Sequence, residues 1–147
     1  MSFSRKLEYI GVGAFKDCEN LTGLNFSIMS NRHNPCKICS QAFYKCKRIS
    51  QALRIPNYVT WIGEDAFYEV DVQSSATNVL VTSNNDEGCN AWLIGGENSI
   101  DTTQTQITIP DNVYGIGGGA FKNNPNLVSI TLGKNLKVIG ESAFKNC

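Results

Sequence analysis

The sequence predicts a β-rich solenoid of about six stacked coils with little helix, and three observations predict it. The first is a phrase that returns. Ile116-Gly117-Gly118-Gly119-Ala120-Phe121 recurs as Ile139-Gly140-Glu141-Ser142-Ala143-Phe144, and earlier as Ile62-Gly63-Glu64-Asp65-Ala66-Phe67 and Ile10-Gly11-Val12-Gly13-Ala14-Phe15. Ile38-Cys39-Ser40-Gln41-Ala42-Phe43 fits with one substitution, and Glu87-Gly88-Cys89-Asn90-Ala91-Trp92 fits with Trp in the Phe place. The second is short apolar alternation, as in Ile107/Ile109 and Ile130/Leu132, the period of a strand with one buried face. The third is a proline directly behind such a strand, at Pro56 and Pro110, which cannot donate to a ladder and turns the chain.

Taken in order, each part of the unit has a physical task. The strand residues Leu53 and Ile55, Ile107 and Ile109, and Ile130 and Leu132 point inward, leaving Thr108 and Thr131 outside. Gly11, Gly63, Gly88, Gly117 and Gly140 supply a backbone conformation or a close approach that a side chain would obstruct. A small Ala then sits beside one large ring per coil. The anchors Phe15, Phe43, Phe67, Trp92, Phe121 and Phe144, spaced by 28, 24, 25, 29 and 23 residues, are expected to stack as a core column. Each buried ring contributes about 1.5–3 kcal/mol by area.

Leu127-x-x-Ile130-x-Leu132 followed by Leu136-x-x-Ile139-Gly140-x-x-Ala143-Phe144-x-x-Cys147 resembles the BspA-like leucine-rich repeat. The resemblance covers residues 7 to 26, 36 to 68 and 107 to 147 strongly and the middle poorly. It implies a right-handed leucine-rich-repeat solenoid with a parallel strand ladder on one face. It also implies adhesion or protein binding at a cell surface or in a secreted protein, with no catalytic residues and no cofactor. The family places a buried cysteine three residues after the anchor, where Cys18, Cys46 and Cys147 stand. Gly133 replaces the proline after the strand, Val70 and Asn124 replace the cysteine, and Cys39 replaces the turn glycine.

Thirteen basic residues balance thirteen acidic ones in 147, so charge recommends neither nucleic acid nor an anionic membrane as partner. No apolar stretch is long enough for a membrane span, and Met1 to Lys6 lead into no signal-peptide core, which keeps a cytoplasmic location as the alternative. Cys36-Lys37-Ile38-Cys39 has the spacing of a redox or zinc pair, with His33 and Cys46 near in sequence. Because Ile38 and Cys39 already hold the Ile-Gly places, the coil is expected to scatter these side chains, and no metal is assigned. Gly115-Ile116-Gly117-Gly118-Gly119-Ala120 satisfies a dinucleotide fingerprint, yet Ile116, Gly117 and Ala120 are repeat positions and no acidic residue follows the next strand. One histidine, His33, supports no triad. The sequons at Asn20 and Asn25 place Leu21 and Phe26 in what reads as core, and they do not establish secretion.

The expectation is one repeat domain over 1–147, with regular coils about 7–70 and 107–147 and a degenerate coil or insertion about 71–106, forming part of a longer array. The partner is expected to be a protein, extracellular or host-derived, met through outward columns. These are Asn25, Arg54, Thr108 and Thr131 on the ladder, and Tyr9, Trp61 and Tyr114 before the turn. Uncapped ends are expected to favour self-association. The alternatives are a structural spacer within a larger surface protein and, from another class, metal or redox chemistry at Cys36 and Cys39.

Overall fold

The computed structural model describes residues 2–4, 6–26, 34–49, 54–70, 90–94 and 103–147. Within them lie ten short strands and no helix. Two strand columns run up the stack. One holds β1 (Ser2–Phe3), β3 (Asn25–Phe26), β7 (Gln106–Thr108) and β9 (Ser129–Thr131), paired in parallel as β1 with β3 and β7 with β9. The other holds β2 (Tyr9–Ile10), β4 (Cys36–Ile38), β5 (Val59–Ile62), β6 (Ala91–Leu93), β8 (Val113–Ile116) and β10 (Val138–Ile139). It is split into two parallel sheets, β2-β4-β5 and β6-β8-β10. The strands are short because proline or a turn follows within a few residues, and each wins its stability from the neighbouring coil.

Between the second column and the next coil lies the Ala-Phe turn, which recurs at 11–18, 39–46, 63–70, 117–124 and 140–147. Two residues in every such turn hold positive φ. The first set is Gly13, Gln41, Asp65, Gly119 and Ser142, and the second is Asp17, Lys45, Glu69, Asn123 and Asn146. Most carry side chains, so the left-handed conformation costs energy that the stack must offset. At three of the turn interfaces it does so with three backbone bonds each. The N–H groups of Gly13, Phe15 and Asp17 donate to Ser40, Ala42 and Tyr44, and those of Gln41, Phe43 and Lys45 donate to Glu64, Ala66 and Tyr68. Gly119, Phe121 and Asn123 repeat the pattern on Glu141, Ala143 and Lys145.

Ring stacking follows the same interfaces. Phe15 and Phe43 lie 5.2 Å apart, Phe43 and Phe67 5.3 Å, and Phe121 and Phe144 5.0 Å, all nearly parallel. Phe43, Phe67 and Phe121 are buried, while Phe15 and Phe144 at the outer turns are half-buried. The column is not continuous: among the described residues no ring contact joins Phe67 to Phe121. The chain instead builds two cores, one around Phe43 and Phe67 and one around Phe121.

Between them sits β6, and here the structure corrects the expected register. Trp92 is buried, but in a strand and not at an anchor turn: Ala91 pairs with Val113, Trp92 with Gly115 and Leu93 with Ile116. Trp92 and Ile94 pack into the first core and Leu93 into the second. Of the rest of the segment 71–106 expected as a degenerate coil, 71–89 and 95–102 lie outside the described residues, while 103–105 lead into β7, which begins at Gln106.

The successive glycines at 117 and 118 are explained by this wedge. At ordinary interfaces the carbonyl ending one strand takes a single N–H from the next turn: Ile10 from Cys39, Ile38 from Gly63, Ile116 from Gly140. At the seam two strand ends need a donor. Gly117 N–H serves Leu93 O at 2.7 Å and Gly118 N–H serves Ile62 O at 2.9 Å. A Cβ on Gly118 would run into the backbone of Gly63 and Glu64, so the turn at 117–124 closes directly on the turn at 63–70.

Candidate functional site

In the first sheet, cross-strand register sets Tyr9 opposite Lys37 and Lys37 opposite Trp61. Their neighbours Ile10, Cys36, Ile38, Val59 and Ile62 are buried, so alternation turns the three outward. Tyr9 is 66% exposed, Lys37 is exposed and Trp61 is half-buried. Tyr114 does not join them, contrary to the sequence expectation. A bulge between Ala91 and Trp92 leaves Tyr114 without a register partner, just as the bulge between Cys36 and Lys37 leaves Thr60, so Tyr114 holds the place of Thr60 and Gly115 that of Trp61. Tyr114 is half-buried, packs against the first core and lies 5.6 Å from the Trp92 ring. A Cβ at Gly115 would collide with that ring, so the second sheet carries Trp92, Gly115 and Val138 where the first carries an open row.

On the other strand column Thr108 and Thr131 stand opposite each other, both exposed, beside the exposed pair Gln106 and Ser129. Asn25 pairs with Ser2 in β3, and its side chain lies outside the described part. Arg54 is exposed and belongs to a single bridge rather than a full strand.

A third surface was not anticipated. The residue after each anchor Phe forms its own column of Lys16, Tyr44, Tyr68, Lys122 and Lys145. Tyr44 and Tyr68 stack at 4.8 Å, and Lys16 Nζ lies 4.9 Å over the Tyr44 ring while donating to Gln41 Oε1 at 3.0 Å. Lys122 Nζ pairs with Glu64 at 2.6 Å and Asp65 at 3.6 Å, spanning the seam. Lys45 and Lys47 meet Glu69, and Lys47 also meets Glu19. The repeat alignment contained this column, since its members share one offset from the anchor. Their differing chemistry of Lys and Tyr hid it.

The cysteines divide by position. Cys46 is buried and its Sγ donates to Phe15 O at 3.0 Å; Cys147 Sγ donates to Phe121 O at 3.1 Å. At these two turns the ladder cysteine ties its turn to the one before it. Cys18 and Cys147 are exposed, a departure from the expected burial, because no further turn covers them among the described residues. Burial pushes the Cys46 thiol up to about 11, with Cys18 adding to it. Cys36, on the inward side of β4, is likewise raised to about 11 by burial and then by Cys39. That direction is opposite to what a redox nucleophile or thiolate ligand needs. Among the described residues no three His, Cys, Asp or Glu side chains gather as a metal site, and His33 lies outside them. In the fingerprint stretch each glycine has a packing reason: Gly115 lies under Trp92, Gly117 faces Leu93 O, Gly118 abuts Glu64 and Gly119 has φ +70.

No helix among the described residues is long and apolar enough to cross a membrane. A family model described as "BspA type Leucine rich repeat region" matches residues 1–87 and 98–147 in six copies. The unmatched interval contains β6, the strand that breaks the Phe column. No curated protein and no solved structure matches the chain.

Proposed function

Because the chain belongs to the BspA-type leucine-rich-repeat family, we propose that it is a non-catalytic module that binds a protein partner or host surface from the outside of a cell. Repeats of this family are typically non-catalytic and serve protein interaction. The observation that supports this function here is the open row of Tyr9, Lys37 and Trp61, three chemically capable side chains that successive coils bring into line. Stacking converts one residue per coil into a column, and the backbone bonds between turns hold that column without further ordering cost on binding. Tyr and Trp are among the residues that carry most of the energy at protein interfaces.

The test is a pull-down against purified extracellular-matrix and host cell-surface proteins, comparing the native chain with a Trp61→Ala, Arg54→Ala double variant. Retention by the native chain and at least about tenfold weaker retention by the variant is expected, about 1.4 kcal/mol or more. A partner held equally by both would remove these two residues from the surface.

A further inference from the structure

We propose that the outer row of the first sheet is a docking strip for an extended acidic peptide, whose carboxylate meets Lys37 while flanking apolar side chains lie on Tyr9 and Trp61. This rests on the protein-binding function above and names the chemistry of its partner.

Charge is the first argument. Several other cations are engaged: Lys16 with Gln41 and the Tyr44 ring, Lys45 and Lys47 with Glu69, Lys122 with Glu64. The Glu8 carboxylate beside the row accepts from Asn34 Nδ2 at 2.9 Å. Lys37 makes no ion pair or side-chain hydrogen bond among the described residues, although it sits at the centre of the row. An ammonium in line with two aromatic residues, with no counter-ion among the described residues, selects an anion that also offers apolar surface.

Spacing is the second. Adjacent strands lie about 4.8 Å apart, so Tyr9 and Trp61, two strands apart, are separated by roughly 9.6 Å along the stack. Three residues of a polyproline II helix advance about 9.3 Å and return to the same face. Apolar residues at i and i+3 therefore meet the two rings, and a carboxylate between them falls within reach of the lysine stem. An extended segment in this conformation loses little entropy on binding, which suits a flat strip without a pocket.

Length is the third. In the second sheet the same row is Trp92, Gly115 and Val138, closed by the buried indole over Gly115. The strip thus ends after three coils and accommodates about four to six residues of extended chain.

The chain has two tryptophans, and Trp92 is fully buried, so a change in emission on binding reports Trp61. The probe is a blocked peptide with prolines three residues apart and glutamates between them, titrated into the full chain at low salt and checked by calorimetry. Saturable binding with a change in Trp61 emission is expected. Lys37→Glu should weaken it at least tenfold, and the same variant should bind a peptide with lysines in place of the glutamates better than the native chain does. Lys37→Met should lose binding to both peptides, and an unchanged thermal melt shows that both variants fold. Equal affinity for a glutamine version of the peptide, binding undiminished by Lys37→Glu, or an emission change that follows protein concentration alone would each overturn the proposal. Capture of a purified partner through Trp61 with no binding of the acidic peptide overturns the peptide chemistry and leaves the module function standing. Failure of both removes the two together.

Discussion

The ladder thiol shows how one side chain serves packing and polarity at once. At Cys46 the sulfur fills the interior as a small apolar group and gives its proton to Phe15 O, the carbonyl of the preceding turn's anchor. Its acidity follows from that place, since a thiolate there would be desolvated. Native chain treated with iodoacetamide near pH 8 should therefore keep Cys36 and Cys46 unmodified, and both should react once the chain is unfolded. Mass spectrometry of the digests reads the difference. The anchor ring is the other residue that sets stability: Phe121→Ala should cost about 3–5 kcal/mol in urea unfolding, because Phe144 stacks on it and no neighbour can fill the gap. Both roles were legible in the sequence as repeated positions. The exposure of Cys18 and Cys147 was not, because a repeat assigns the same environment to every copy, whereas an outer turn has a neighbour on one side only.

Among the elements, β6 carries the least sequence signal and the largest structural consequence. Ala91-Trp92 imitates the Ala-Phe anchor, and two adjacent letters could not separate a turn from a strand. What separates them is the partner: Gly115 leaves room for the indole, and Gly117 and Gly118 provide two N–H groups for two strand ends. Gly118→Val should accordingly destabilise the chain by about 1–3 kcal/mol, measured by denaturant unfolding, since the added carbons meet the Gly63 and Glu64 backbone. The exposed Val12 provides the contrast: Val12→Ala should change stability by less than about 0.5 kcal/mol. Tyr114 stays out of the outward row because it holds the unpaired bulge place that Thr60 holds in the first sheet, while Gly115 holds that of Trp61, so one residue of offset decided which aromatic is available to a partner.

Across the whole molecule the two cores are joined at the seam by a short backbone ladder and by Lys122 reaching back to Glu64. The Lys122 ammonium holds the Glu64 carboxyl below its usual range, chiefly by their hydrogen bond, and Glu64 in turn raises Lys122. A lowered carboxyl stabilises the fold above its unfolded pKa and loses that effect as pH falls through the folded value. A raised ammonium stabilises below its unfolded pKa and loses that effect as pH rises through the folded value. Lys122→Met should thus cost about 0.5–1 kcal/mol at neutral pH, and the difference should vanish near pH 2 when urea unfolding is repeated there. By itself the sequence determined the repeat, the anchor turns and the family, because each coil repeats one local solution to burying a ring beside a glycine; of the strand positions expected inward, Ile55, Ile107 and Ile109 are buried and Leu132 is 47% exposed. Only the tertiary structure decided where the stack breaks and which outward residues line up. Both depend on contacts between coils separated along the chain, which no local phrase of the repeat specifies.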